Sequence, residues 1–205
     1  METILRRAGG ILAFLSLAVV LYGIWHGAKR PFGRTSGRMA SWLHSPLFYF
    51  LATAAYLGFS IAFWKPIPLS LKPDVHLAVI ISGSIVFFPG ILFLLWARIT
   101  LGKMYFVSTS FGAQLYADHR LITHGPYAFV RHPMYLGLIL SALGSLLLYQ
   151  TWTTLAYVVF AALIMLRARR EEQALADEFG KEWQEYCRRV PAFFPFQKGI
   201  FNRKR

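Results

Sequence analysis

The 205-residue chain holds a single cysteine, Cys187, and only nine acidic residues against 22 lysines and arginines. One cysteine excludes an internal disulfide and any CxxC metal or redox pair. None of the six histidines stands in an HExxH or similar paired spacing, so the sequence predicts no metal site. No glycine-rich strand-to-helix loop is present, which argues against a Rossmann-type dinucleotide site. Charge itself is missing from long stretches. Residues 8–25, 39–64, 75–97 and 134–166 contain no Asp, Glu, Lys or Arg.

What fills those stretches is apolar. The chain is 56% hydrophobic with mean hydropathy +0.46, well above an ordinary soluble domain. About 20 such residues at 1.5 Å rise cross a hydrocarbon core. The fourth run is interrupted by QTWTT at 150–154, which reads as a tight hairpin between two shorter helices. The sequence therefore predicts an all-α integral membrane protein and a single domain, 1–205. Its five transmembrane helices are expected at about 8–25, 42–64, 75–97, 134–149 and 152–167. Arg6 and Arg7 precede the first run as in a signal peptide. No small-x-small cleavage pattern follows Trp25, so the first helix is expected to be retained.

Charge then orients the bundle. If the spans alternate, segments 26–41, 98–133 and 167–205 share one side and carry 18 of the 22 lysines and arginines. The positive-inside rule places that side in the cytoplasm and the N-terminus outside. A net charge of +13 on a soluble chain would suggest nucleic acid. On loops flanking apolar spans it fits anionic lipid headgroups, and no nucleic-acid partner is expected.

Two polar blocks could carry chemistry. The first ends in GPYAFVRHPMYLG, residues 125–137. Gly125-Pro126 marks a turn. Pro133 suits the first position of a helix, which puts His132 at the N-cap. A helix start offers free N–H groups and the positive end of its dipole. Arg131, His132 and Tyr135 would add side-chain donors, giving an anion site. The same residues also suit a plain headgroup anchor, with Tyr127 and Tyr135 in an aromatic belt. Gly137, Ser141 and Gly144 suit close helix packing.

The second block opens with RARREE, 167–172. Arg167 and Glu171, four apart, share a helix face. Arg169 and Arg170 read as snorkelling side chains at the end of a span. Downstream, Leu175, Phe179, Trp183 and Tyr186 form an apolar stripe at helical spacing, with Gly180 as a kink. Pro191 and Pro195 end regular structure, and the basic tail 202–205 is expected on headgroups.

LITHGPYAFVRHPMYLG (121–137), REEQALADEFGKEWQEY (170–186) and RVPAFFP (189–195) together resemble the isoprenylcysteine carboxyl methyltransferase and phospholipid methyltransferase family of integral membrane methyltransferases. The resemblance covers roughly the C-terminal half, in order. It implies S-adenosylmethionine as methyl donor, in a cytoplasmic pocket built from 98–137 and 167–195 and closed by the C-terminal helical segment. It also implies a lipophilic acceptor entering from the bilayer. His132, Pro133, Met134 and Tyr135 would then border the methionine part, with Glu171 at its amino group. His119, Leu121 and Ile122 would border the adenine, Tyr127 would line the pocket, and Arg167 would stand at the acceptor. Gln114 and Glu172 are further cofactor contacts that the pattern leaves open.

A sulfonium donor is already activated, so transfer needs alignment more than acid–base machinery. A carboxylate acceptor needs no base. An amine or thiol would have to lose a proton, and only Glu172 or a tyrosine offers itself. The residues thus favour an anionic acceptor over a phospholipid amine. Two readings compete with methyl transfer: an NADPH-dependent membrane reductase of the sterol-reductase kind, and a non-catalytic adaptor whose basic faces bind anionic lipid.

Overall fold

The computed structural model describes residues 1–27, 32–34, 46–105, 115–116 and 118–193. Six α-helices follow in order: α1 (Glu2–Gly27), α2 (Pro46–Ala62), α3 (Pro73–Leu101), α4 (Pro133–Tyr149), α5 (Trp152–Met165) and α6 (Ala168–Arg189). A small antiparallel ladder, β1 (Phe32–Arg34) with β2 (Leu115–Tyr116), pairs Phe32 with Tyr116 and Arg34 with Leu115. The expected all-α architecture is present. By length and composition α1 and α3 are each long and apolar enough to cross a membrane, as is the helical stretch from Trp152 onward. The apolar helices α2 and α4 are shorter. The chain is an integral membrane protein.

The helices differ in detail from the predicted spans. α2 starts at Pro46, and the expected residues 42–45 lie outside those described. α3 runs on to Leu101 and so carries Arg98 within its last turn, with Pro89 inside the helix. α5 stops at Met165, because Leu166 and Arg167 form a turn in which their N–H groups donate to Leu163 and Ile164. Arg167 is therefore the N-cap of α6, not the end of the fifth span.

α3 and α4 form the centre. They pack antiparallel, with glycines seven residues apart on each: Gly83 and Gly90 on α3, Gly137 and Gly144 on α4. A methyl group built on Gly83 would lie 2.7 Å from the Leu148 backbone nitrogen, and one on Gly90 or Gly137 equally close to that of Ser141 or Leu94. At Gly144 the clash with the Phe87 backbone is tighter still. Small residues thus let the two backbones approach, as membrane helices require where no hydrophobic effect drives association. Ile80, Phe87, Ile91 and Leu148 fill the seam. The buried hydroxyls of Ser84, Ser141 and Ser145 donate to carbonyls of their own helices, so apolar burial leaves them satisfied.

The other helices attach to this pair: α1 lies on α3, α5 on α4, and α2 on α5. The α4–α5 hairpin forms where QTWTT predicted it. Gln150 turns left-handed at φ 54°, and Thr151 with Thr154 makes a reciprocal capping box. Its strand-like backbone pairs with the α2–α3 connection through Ile67 N–H to Gln150 and Trp152 N–H to Lys65. The same end holds Glu2, which salt-bridges Arg6 at 3.0 Å and faces His76 at 3.6 Å. The opposite end gathers the β1–β2 ladder, the turn at 125–128 and α6. The described parts of 98–133 and 167–193 thus lie at this end of the bundle.

The glycine contacts give the first prediction. Gly144→Ala pushes a methyl group against backbone that has no rotamer to move, so it is expected to cost about 1–3 kcal/mol. Gly58→Ala on α2, where a methyl group meets nothing within 4 Å, is expected to be neutral. Thermal unfolding in one detergent compares them, and equal melting temperatures contradict the packing account.

Candidate functional site

Between the cavity ends of α1, α3, α4 and α5 and the first turns of α6 lies a cavity of about 320 Å³, near the lower limit for a small-molecule site. Its walls divide by chemistry. Val20, Leu94, Leu138 and Ile164 come from the apolar helices α1, α3, α4 and α5; Tyr105, His119, Tyr127, His132, Arg167 and Glu171 add polar groups. Pro133, Met134 and Tyr135 bring in the start of α4.

Two acidic neighbours do different work. The Glu171 carboxylate lines the cavity and accepts a 2.8 Å hydrogen bond from the Tyr135 hydroxyl. Successive helical residues point about 100° apart, so Glu172 faces away, toward the loop before α4. There one of its oxygens meets both Arg131 Nη2 and His132 Nε2 at 3.0 Å. The Arg131 and His132 side chains are 8% and 4% exposed. The backbone repeats the connection: Arg131 and His132 N–H donate to Pro191 and Ala192 carbonyls at 2.8 and 3.0 Å. Phe193 stacks on the His132 ring at 5.1 Å, and Tyr186 donates to the Tyr127 carbonyl at 2.7 Å. α6 and the residues after it are thereby latched onto the 125–132 loop.

Burial works to raise the Glu172 carboxyl pKa, but the His132 hydrogen bond and the Arg131 charge outweigh it and hold the group below its ordinary value. Burial pushes the Tyr105 phenol up to about 12, partly opposed by Arg98. It also raises Tyr127, with Glu171 adding to the effect. Both phenols stay neutral donors near pH 7.

His132 is the N-cap of α4 and Pro133 its first residue, as the sequence predicts. The anion site expected there is altered. The His132 and Tyr135 side chains hold α6 carboxylates, and the Arg131 and His132 N–H groups hold the chain after α6. Arg167 lines the cavity, and its Nε and Nη2 are buried with no hydrogen-bond partner among the described residues. It is the cavity's available cation. His119, Tyr127, Pro133 and Met134 also line it. Leu121 does not; it packs on the Trp183–Tyr186–Val190 cluster, against the stripe that also holds Leu175 and Phe179. Ile122 is likewise outside the lining. Gln114 lies outside the described residues. No group of three metal-ligating side chains occurs among the described residues.

Sequence reasoning missed Tyr105, which the left-handed turn at Gly102 (φ 50°) precedes. It also missed the apolar wall, since Val20, Leu94, Leu138 and Ile164 look like any other residue of an apolar run. Gly180 does break α6, at φ 50° and ψ −112°. The helix ends at Arg189, before Pro191, as expected; Pro195 and the basic tail lie outside the described residues.

A helical membrane bundle with a charged cavity bordered by the first turns of α6 defines the class. Residues 77–182, just over half the chain, match the family model for phospholipid methyltransferase, and the chain belongs to that family. It is 38% identical over 80 residues to the protein-S-isoprenylcysteine O-methyltransferase of Schizosaccharomyces pombe, covering 38% of this chain and 34% of that one. It is 40% identical over 75 residues to the Delta(14)-sterol reductase TM7SF2 of Mus musculus, covering 35% and 18%. It is 39% identical over 80 residues to the cobalt-zinc-cadmium resistance protein CzcN of Cupriavidus metallidurans, covering 38% and 37%. The matched part thus spans between 18% and 37% of these relatives' lengths. Among solved structures, a eukaryotic intramembrane Ras methyltransferase (isoprenylcysteine carboxyl methyltransferase) aligns with 76% of this chain and 55% of that one, at TM-score 0.40 and 23% identity.

The Glu172 latch gives the second prediction. A carboxyl held below its ordinary value stabilises the fold above the unfolded pKa of about 4.3. That contribution is lost as pH falls through the lower folded pKa. Protection of α6 from proteolysis is expected to hold from pH 7 to about 5 and to fall in more acid solution. In Glu172→Gln, protection is expected to be weaker above about pH 5 and to lose that acid step, so that the two proteins converge in acid. An unchanged profile in the variant contradicts the latch.

Proposed function

We propose that the chain is an S-adenosylmethionine-dependent membrane methyltransferase. The acceptor is a lipophilic molecule bearing a carboxylate, of the isoprenylcysteine class. The observation that carries this is Arg167: two buried guanidinium nitrogens without partners among the described residues, in a cavity that the Glu171 carboxylate and several apolar side chains also line. An amino acid moiety needs a carboxylate for its ammonium, which Glu171 supplies. Tyr135 holds Glu171 in place, and His119 and Tyr127 offer polar edges and rings for the remainder of the donor. S-adenosylmethionine would supply a methyl group on a sulfonium, already activated for displacement. The protein's task is then to hold the acceptor oxygen in line and keep water out. Arg167's planar fork matches a carboxylate, and Val20, Leu94, Leu138 and Ile164 suit an isoprenoid chain.

Among the described residues the candidate bases are engaged or neutral, which favours the same acceptor. Glu172, the base the sequence left open, is spent on Arg131 and His132 and held below its ordinary pKa. Tyr105 and Tyr127 are neutral phenols, unable to take a proton from an ammonium or thiol near pH 7. A carboxylate acceptor needs none. The likeness to protein-S-isoprenylcysteine O-methyltransferases supports isoprenylcysteine as the acceptor class. A reductase reading would need cations for several phosphates. Of the two arginines in the cavity lining, Arg131 is already bound to Glu172.

For the whole chain we propose one domain with five spans, the cavity end facing the cytoplasm and its basic loops on anionic headgroups. Single-cysteine labelling checks this. A residue at position 72 is expected to react from outside and one at position 34 from the cytoplasm; the reverse pattern overturns the orientation.

The site assignment is checked by separating Glu171 from Arg167. Glu171→Gln is expected to weaken S-adenosylhomocysteine binding at least tenfold, as loss of a charged hydrogen bond of roughly 1.5–3 kcal/mol requires. Arg167→Ala is expected to leave that affinity within about twofold and to collapse turnover of N-acetyl-S-farnesylcysteine, with Arg167→Lys rescuing only in part. Identical profiles for Glu171→Gln and Arg167→Ala contradict the division. Calorimetric titration of the unaltered protein with S-adenosylhomocysteine and with NADPH decides between transferase and reductase.

A further inference from the structure

Arg167 and Glu171 do not pair with each other. They stand one helical turn apart, with Glu171 N–H donating to the Arg167 carbonyl at 3.1 Å, and both line the cavity. Opposite charges at that spacing share a helix face and ordinarily meet. Here no ion pair joins them among the described residues, and Arg167 Nε and Nη2 are buried without a partner there. Arg167 does not serve the helix instead. It is the N-cap of α6 without a capping hydrogen bond, and a cation at that end opposes the helix dipole. Away from bulk water the two charges attract more strongly than on an exposed helix, so their separation calls for a restraint.

Tyr135 supplies one. It lies in the first turn of α4, and its hydroxyl donates to Glu171 Oε2 at 2.8 Å. A hydrogen bond to a carboxylate is among the stronger ones. The ring is braced edge-on by His132 at 5.5 Å, and His132 is itself fixed by Glu172. Glu171 is thus drawn toward the start of α4, where the positive end of a second helix dipole also favours it. Arg167 lies near enough for its charge to act on the same hydroxyl. The phenol is the contact that Glu171 would give up to reach Arg167. A carboxylate and a guanidinium bound to each other would offer neither charge to a ligand.

We propose that Tyr135 is a positioning residue that prevents Glu171 from neutralising Arg167, so that each charge stays available for its own ligand. This rests on reading Glu171 as the ammonium site of the donor and Arg167 as the carboxylate site of the acceptor. Tyr135 then governs acceptor binding by controlling what Arg167 faces. Its hydroxyl competes for the Glu171 carboxylate without adding a charge of its own. A lysine or arginine in its place would hold Glu171 as firmly and leave the ammonium nothing to bind.

The test uses the full chain in detergent, with S-adenosylhomocysteine and N-acetyl-S-farnesylcysteine as separate probes in calorimetric titrations. Tyr135→Phe keeps the ring, so the fold is expected to hold. With Glu171 released to Arg167 in most molecules, apparent affinity falls by the fraction still open, and both probes are expected to bind about tenfold more weakly. Two double variants then read the pair from either side. Adding Glu171→Gln removes the competing carboxylate, and farnesylcysteine affinity is expected to return to within about twofold of the unaltered protein. Adding Arg167→Ala removes the competing cation, and S-adenosylhomocysteine affinity is expected to recover about threefold or more over Tyr135→Phe. A second substitution that repairs the first is not produced by structural damage, nor by a direct contact of Tyr135 with either ligand. Recovered binding also shows a folded cavity. Undiminished farnesylcysteine binding in Tyr135→Phe, or no recovery in either double variant, overturns the inference. The Glu171 and Arg167 assignments survive that result, because Glu171→Gln and Arg167→Ala test them alone. Failure of the unaltered protein to bind either probe overturns those assignments, and the inference with them.

Discussion

The backbone contact between α3 and α4 sets the position of everything else. In a membrane, apolar side chains gain little by touching each other rather than lipid, so shape and close approach must hold helices together. Gly83, Gly90, Gly137 and Gly144 supply that approach on facing sides of the two helices. Their seven-residue spacing repeats the contact along most of α4. One end of this seam delivers Arg98 from α3 and His132 to Tyr135 from α4. Rotation or slippage of one helix would displace the two halves of the cavity relative to each other.

The second organising contact is the Glu172 carboxylate with Arg131 and His132. It joins residues 40 positions apart, with Arg131 and His132 at the cavity wall and Glu172 behind them. Its role is to aim the helix on which Glu171 and Arg167 stand. The first turn of α6 thus faces the site with one acidic residue and grips the scaffold with the next. The apolar stripe of Trp183 and Tyr186 completes the attachment beyond the break at Gly180. Charge fixes one half of α6 and burial fixes the other.

Much of this architecture was legible because it depends on local rules. Runs without charge gave the apolar helices, QTWTT gave the hairpin, and Pro133 and Gly180 marked a helix start and a helix break. Family likeness brought His119, Tyr127, His132, Arg167 and Glu171 to one cavity. What stayed hidden depends on rotation and distance. No spacing rule says which of Glu171 and Glu172 faces the cavity until the roll of α6 is known. His132 looked like a free donor because its partner lies on another helix. Leu121, assigned to the cofactor by its neighbours in the motif, instead turns under α6, where an apolar stripe needs covering. Tyr105 carries no motif and enters the site just after the short helical turn 102–104 that follows α3.

The helix lengths have a further consequence. At 1.5 Å per residue, α3 with 29 residues is about 43 Å long, whereas α4 with 17 and α5 with 14 are about 25 and 21 Å. A hydrocarbon core is about 30 Å thick. On the α4–α5 side the lipid must thin, or the helix ends must sit beneath the headgroup plane. In the second case the turn at Leu166–Arg167 opens inside the level of the acyl chains. Elastic deformation of the surrounding lipid becomes part of the protein's working environment, and membrane thickness a variable to which it is sensitive.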